Sequence, residues 1–340
     1  MKRRRLGKSG LMVSEIGLGT MTFGSECADK AEAFRIMDTA VEQGVNFFDT
    51  AEIYPVPPVK KLAGLTEKII GEWLENRSRS EIIIASKVAG PAHGWFDPPV
   101  RDGNAAIDSL HIRKALEGTL SRLKTDYIDL YQVHWPDHGM RIEDTLETLN
   151  DLVKEGKVRT IGCSNENAYG LMKALWVADK YNFRAFDTIQ NNFSINNRVF
   201  ENELAEVCER EQVSLLPYSP LAGGVLSGKY NTSNPPQNSR FYKYKHGKTT
   251  RQQAIAKRFV NEKTLALTSD ILTIAAKYDL QPTTLATAWS KQHSYVASTL
   301  IGVSQYDQLQ PILDAANLVL PEEALKEINE ACKKVPNPMN

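Results

Sequence analysis

Four side chains of different chemical type stand at or just beyond the ends of apolar runs. Asp49 follows the run 45–48, Lys87 follows 82–86, His134 follows 130–133, and Tyr54 comes five residues after Asp49. A carboxylate, an ammonium, an imidazole and a phenol on one rim suit the reduction of a carbonyl. As hydride arrives at carbon, the oxygen needs a proton. Tyr54 carries one, but an ordinary phenol with a pKa of about 10 gives it up reluctantly near neutrality. A neighbouring ammonium favours phenolate, so Lys87 is expected to lower that pKa, with Asp49 holding Lys87 in position. His134 can bond the substrate oxygen and orient it. Ser164 and Asn165 end a fifth run, Gln190 a sixth and Tyr218 a seventh, where its ring offers a face on which nicotinamide would stack. Singly, three of the first four have plainer readings: Asp49 as a helix cap, His134 as a satisfied core histidine, Lys87 as a snorkelling edge residue. Their joint occurrence is what points to chemistry.

Elements that would position such a rim are legible. Eight short apolar runs, 16–18, 45–48, 82–85, 127–133, 158–162, 185–189, 213–216 and 297–301, read as strands buried on both faces, as in a parallel sheet covered by helices. Helical periodicity fills the gaps at 29–43, 67–77, 111–123, 142–155, 168–180, 202–211, 268–278, 282–292 and 305–316, and the tail beyond Pro321 reads as one more helix. Gly44 and Gly156 stand where a helix C′ glycine belongs, and Pro282 suits a first helical turn. Strand–helix alternation repeated eight times predicts an α/β fold of the (β/α)8 TIM-barrel type, although a doubly wound sheet also alternates. An N-terminal β-hairpin is expected at 4–6 and 12–14. Two connections, 88–110 and 222–255, are longer than a strand-to-helix loop needs, and are read as functional loops at the C-terminal face. With no linker-like composition shift, residues 1–340 are expected to form one domain.

Composition excludes several classes of function. Lys and Arg together number 41, as do Asp and Glu, so the formal net charge is zero. This argues against a partner that is nucleic acid or an anionic membrane surface. Lys2–Arg5 is the local exception, read as a solvated strand at the barrel floor, because no apolar segment follows to make it a secretory signal. No window approaches the roughly 18 apolar residues of a membrane span. Cys27, Cys163, Cys208 and Cys332 are scattered, which suits reduced thiols and a cytoplasmic location. Gly223-x4-Gly228-Lys229 approaches a phosphate-binding loop, but Tyr230 replaces the hydroxyl that would ligate magnesium, so the segment is better read as a seat for pyrophosphate. Gly17-x-Gly19-x4-Gly24 has its third glycine out of register for a dinucleotide fingerprint. His134-x3-His138 lacks a further His/Cys cluster, so no metal is expected. Trp95, Phe96 and Trp135 are candidates for an apolar substrate wall, and Cys163 is expected to be a buried small residue.

The segments Gly-Leu-Gly-Thr-Met-Thr-Phe-Gly (17–24), Phe-Phe-Asp-Thr-Ala-Glu-Ile-Tyr (47–54), Ala-Ser-Lys (85–87) and Asp-Leu-Tyr-Gln-Val-His-Trp-Pro (129–136) carry a family likeness. So do Gly-Cys-Ser-Asn (162–165), Ile-Gln-Asn (189–191), the stretch 217–230 and Ile-Gly-Val-Ser (301–304). Together they resemble the aldo-keto reductase superfamily across nearly the whole chain, and 49–58 with 297–302 is similar to its bacterial Tas-like branch. The resemblance implies a catalytic tetrad of Asp49, Tyr54, Lys87 and His134, with Tyr54 as general acid. It implies NADPH as cofactor, NADH being possible, and a small carbonyl compound as substrate. Thr20, Met21 and Asp49 would contact the cofactor; Ser164, Asn165 and Gln190 would hold the carboxamide, with Tyr218 stacked on the ring. The backbone of Ser219, Pro220, Leu221, Ala222 and Gly223, with Lys229, would meet the pyrophosphate, Arg240, Ser304 and Gln308 would lie near the adenosine 2′-phosphate, and Gly302 would also contact the cofactor. Two features depart from the family. Gln308-Leu309-Gln310-Pro311-Ile312 lacks the acid and amide that usually meet adenine, and the loop after His134 is short.

Two other functions fit parts of the pattern. Barrels of this superfamily also serve as nicotinamide-binding auxiliary subunits of potassium channels, but those carry asparagine where this chain has His134. An aldolase barrel would use Lys87 as a Schiff-base lysine, testable by borohydride trapping without nicotinamide.

Overall fold

The computed structural model describes residues 1–27, 29–94 and 96–339, so Trp95 of the expected apolar wall lies outside the described residues. Among the described residues there are ten strands: β1 (Arg3–Arg5), β2 (Met12–Ser14), β3 (Ile16–Gly19), β4 (Phe47–Asp49), β5 (Ile83–Val88), β6 (Ile128–Val133), β7 (Val158–Ser164), β8 (Thr188–Gln190), β9 (Ser214–Leu215) and β10 (Thr299–Ile301). β1 and β2 form the antiparallel hairpin. The other eight form one parallel sheet in the order β10-β3-β4-β5-β6-β7-β8-β9. Parallel bridges from Leu215 to Val296 and from Tyr218 to Leu300 join its two ends. This is the (β/α)8 barrel, each strand matching one of the eight apolar runs.

Two-residue alternation along the strands explains what faces where. Phe48, Ile84, Tyr131, Ile161, Ile189 and Leu215 face outward into the large core beneath the helices. Phe47, Ile83, Ala85, Leu130, Leu216 and Leu300 form a second apolar cluster with Leu6, Leu11 and Val13 of the hairpin. The hairpin therefore plugs one end of the barrel, and Arg4 secures it by donating from Nη1 to the carbonyls of His293 (3.1 Å) and Val296 (2.7 Å). Continuing inward positions toward the strands' C-terminal ends changes the chemistry from Phe47 to Asp49, from Ala85 to Lys87, and from Leu130 to Gln132. The apolar floor gives way to a polar upper layer.

Helix boundaries follow their caps. Asp29, Asp108 and Asn167 accept hydrogen bonds from backbone N–H groups of the first turns they precede. Gly44 and Gly156 have φ of 94° and 75°, the left-handed conformation that a C′ position requires. Pro282 begins its helix. Three sequence expectations need correction. The helix expected from 268 runs Glu262–Lys277, because Asn261 and Thr264 form a reciprocal capping box further upstream. The stretch 305–316 is broken into Tyr306–Gln308, Gln310–Leu313 and Asp314–Asn317. Pro311 has no N–H to continue a helix and suits only a new first turn. The long connection after β9 also contains two helices, Arg240–Lys245 and Thr250–Phe259, whose charged surfaces hid the periodicity.

Candidate active site

The upper polar layer brings the four expected side chains together. Lys87 Nζ donates to Asp49 Oδ2 at 2.5 Å and to the Thr50 carbonyl at 2.8 Å, and lies 3.4 Å from the Tyr54 hydroxyl. Asp49 Oδ1 accepts from Gln190 Nε2 at 2.8 Å. Tyr54 and His134 meet edge to face with ring centroids 5.8 Å apart, and His134 stacks on Trp135 at 3.8 Å. All four residues of the tetrad are buried.

Electrostatics departs from expectation at Tyr54. Burial raises its phenol well above the usual value, and the Asp49 carboxylate acts in the same direction. Lys87 is itself lowered by burial, opposed chiefly by Asp49. The expected lowering of the Tyr54 pKa is thus corrected. The ammonium is committed to Asp49, and desolvation of a phenolate outweighs its help. His134 is pushed well below the ordinary histidine range by burial, with Lys87 adding to the effect, so its imidazole is neutral. The site therefore holds a protonated phenol, and a neutral imidazole able to donate or accept one hydrogen bond.

Tyr54, Asp49 and His134 open onto a cavity of about 1150 Å3. Of the expected cofactor residues, Met21, Asp49, Ser164, Asn165, Gln190, Tyr218, Ser219, Pro220, Leu221, Gly223, Lys229, Arg240, Gly302, Ser304 and Gln308 also line it. Two expected cofactor residues, Thr20 and Ala222, and the catalytic candidate Lys87 do not. Lys87 is fully buried behind Asp49 and Tyr54. Thr20 is also fully buried, because its hydroxyl is turned away to donate to the Asp49 carbonyl at 2.8 Å. Ala222 is buried inside the turn whose N–H bonds the Ser219 carbonyl. Thr20 and Ala222 thus lie behind the wall of the cavity.

A chain of hydrogen bonds organises the middle of that wall. Tyr218 Oη donates to Asn165 Oδ1 (2.8 Å), Asn165 Nδ2 to the His134 carbonyl (2.9 Å), and Ser164 Oγ to the Gln190 carbonyl (2.7 Å). Further along, Gly223 and Gly224 have φ of 63° and 91°. A Cβ at Gly224 would lie 2.8 Å from Lys229 Nζ, so the missing side chain makes room for this lysine. Burial and neighbouring Arg240 lower the Lys229 pKa, while Glu26 opposes them. Arg240 is engaged by Glu26, with Nε–Oε1 at 2.8 Å and Nη2–Oε2 at 3.0 Å. At the far end Gln308 Oε1 accepts from the Ser304 N–H at 3.0 Å, and Pro311 and Ile312 complete the wall.

Sequence reasoning missed several residues at this site. Glu26 follows a glycine turn and gives no periodic signal. Glu166 follows the Ser164-Asn165 pair that was identified, and its carboxylate meets His138 Nε2 at 3.1 Å. Glu52 lies between Asp49 and Tyr54, with its carboxylate buried against Arg101. Arg251 lay in what was read as loop. Phe96 and Trp135, which were anticipated, pack edge to face at 5.4 Å beside Met21 and Val56. Cys163 is buried, and its thiol is pushed up strongly by that burial. Among the described residues, no group of three or more His, Cys, Asp or Glu could hold a metal, and no helix is long and apolar enough to cross a membrane.

Comparison with known proteins agrees with this architecture. The model of the Aldo/keto reductase family matches residues 15–333. Protein tas of Escherichia coli (strain K12) is 40% identical over 349 aligned residues, covering 96% of this chain and 96% of that protein. The oxidoreductase YrpG of Bacillus subtilis (strain 168), itself uncharacterised, is 33% identical, with 97% of this chain and 95% of the relative aligned. A putative aryl-alcohol dehydrogenase of Schizosaccharomyces pombe, C977.14c, is 31% identical at the same two coverages, 97% and 95%.

Proposed function

The chain belongs to the aldo/keto reductase family, and we propose that it reduces aldehyde or ketone carbonyls to alcohols with NADPH as the reductant. The observation that carries the reading is the meeting of Tyr54, Asp49 and His134 on the wall of one cavity, with Lys87 buried behind them. We read residues 1–340 as one such domain, at work in the cytoplasm.

The cavity suits a dinucleotide. Gly223 and Gly224 line it together with Lys229 and Arg240, two cations that a pyrophosphate would meet. Asn191 and Asn192 also line it, and their buried Oδ1 atoms have no hydrogen-bond donor among the described residues. Ser164, Asn165 and Gln190 would hold the carboxamide end and Tyr218 the ring. Bound there, nicotinamide supplies hydride to the carbonyl carbon.

The chain's own residues do the rest. His134, neutral, donates a hydrogen bond to the carbonyl oxygen and fixes its direction. Tyr54 keeps its proton until charge develops on that oxygen, then transfers it. A developing alkoxide is a far stronger base than phenolate, so the raised pKa of Tyr54 does not oppose the transfer. Lys87, within reach of the Tyr54 oxygen, stabilises the phenolate left behind, and Asp49 keeps Lys87 charged. Loss of reduced-nicotinamide absorbance with a panel of aldehydes, ketones and quinones tests the proposal. No turnover with any carbonyl under either NADPH or NADH would refute it.

A further inference from the structure

The end of the cavity nearest the tetrad holds a cation that the reaction does not use. Arg251 springs from the first turn of the helix Thr250–Phe259 and lays its guanidinium over the Phe96 ring, with Cζ 4.2 Å from the centroid. Phe96 in turn packs on Trp135, and Trp135 on His134, so the guanidinium is linked to the reaction centre through a wall of rings. Met21, Ile53 and Val56 complete that wall.

Arg251 Nε is shielded from solvent and has no hydrogen-bond acceptor among the described residues. The cavity's carboxylates are already engaged: Asp49 by Lys87, Glu26 by Arg240, and Glu166 by His138. Burial lowers the Arg251 pKa, and the Tyr244 phenol is the one titratable group opposing it. A buried unpaired donor carries a desolvation penalty that a ligand acceptor would remove. Stacking on Phe96 uses the face of the guanidinium, whereas its N–H donors lie in its plane, in the fork that matches a carboxylate.

We propose that Arg251 is a substrate-anchoring residue, and that the preferred substrate is a flat or apolar carbonyl compound bearing an oxyanion such as a carboxylate at the end remote from the carbonyl. The carbonyl would sit at Tyr54 and His134, the apolar body along Phe96 and Trp135, and the anion on Arg251. This inference rests on the reductase reading of the same cavity.

The test compares 4-carboxybenzaldehyde with its methyl ester, the same aldehyde without the charge. The parent enzyme should show kcat/KM at least about tenfold higher for the acid, and Arg251→Gln should bring the acid-to-ester ratio close to one. Arg251→Lys keeps the charge but loses the planar fork, and should fall between them. An acid-to-ester ratio near one in the parent overturns the anion site even if no variant folds, and leaves the reductase reading standing. Binding of unreactive 4-methylbenzoate in the presence of NADP+, measured by calorimetry, gives a readout independent of turnover. An equal Kd for the parent and Arg251→Gln overturns the anchor. Tight binding lost in the variant, with no turnover of either aldehyde, supports the anchor and counts against the reductase reading.

Discussion

Lys87 Nζ stands 2.5 Å from Asp49 Oδ2 but 3.4 Å from the Tyr54 hydroxyl, so the buried ammonium serves the carboxylate first and the phenol second. Because burial raises the Tyr54 pKa well above its usual value of 10.0, the phenol remains protonated throughout the neutral and mildly alkaline range. Reduction needs that protonated form. Its kcat should therefore stay flat up to about pH 10, where an ordinary phenol would have lost half its proton. Burial likewise holds His134 below its ordinary 6.5, so no acidic limb should appear near that pH. A pH–rate profile under saturating substrate checks both, and an alkaline midpoint near 8 would contradict the assignment.

Replacing Tyr54 with Phe removes the proton donor while keeping the ring against His134. Carbonyl reduction should fall by about 10^2- to 10^4-fold in kcat, the usual scale of general acid catalysis. The Kd for NADPH should change little, because the hydroxyl is not required for cofactor binding. Fluorescence titration alongside steady-state kinetics separates the two effects. Turnover at the parent rate would remove Tyr54 from the mechanism.

Arg240 and Glu26 make a further prediction about cofactor choice. A guanidinium held at both nitrogens by a carboxylate is available to a phosphate only after that ion pair opens. Arg240→Ala should weaken NADPH by about ten- to a hundredfold while moving NADH by less than about threefold, since only NADPH carries the 2′-phosphate. Glu26→Gln should act oppositely and tighten NADPH, because the competing charge is gone. Titrating both cofactors against both variants checks the pair of signs. Equal losses for the two cofactors in Arg240→Ala would mean that this arginine does not read the 2′-phosphate.

The sequence announced some of these features and concealed others, for physical reasons. Residues 45–49 show the apolar run and the acid at its end, because a strand buried on both faces has nothing polar until it reaches the rim. Asp49, Lys87 and Gln190 were therefore findable from one strand each. Thr20 stands on the same rim, yet its hydroxyl turns back to the Asp49 carbonyl, and residue type alone does not give that direction. Glu26, Glu52 and Arg251 lie in irregular or charged stretches, and their partners Arg240, Arg101 and Phe96 are distant in sequence. Periodicity carries no information on such pairings. The raised pKa of Tyr54 is not legible in the sequence, because proximity to Lys87 can be anticipated, whereas full desolvation and the commitment of Lys87 to Asp49 depend on packing.

Glu52 and Arg101 clasp the loop carrying Tyr54 to the loop after β5. Arg101 Nη1 bonds Glu52 Oε1, the Ala89 N–H donates to the same oxygen at 2.6 Å, and Arg101 Nη2 donates to the Ala89 carbonyl at 2.8 Å. The two side chains are only 5% and 3% exposed. Arg101→Met should cost about 3–5 kcal/mol of stability at neutral pH, because it strands a buried carboxylate. Burial already raises the Glu52 pKa, with Arg101 opposing it, so losing Arg101 should raise it further. A carboxyl whose folded pKa exceeds its unfolded value favours folding at low pH and loses that contribution as pH rises through the folded pKa. The stability gap between Arg101→Met and the parent should therefore narrow from pH 8 to pH 5, and adding Glu52→Gln should restore part of the loss at pH 8. Urea unfolding of the parent, the single variant and the double variant at both pH values measures this. A gap independent of pH would show that Arg101 contributes packing alone.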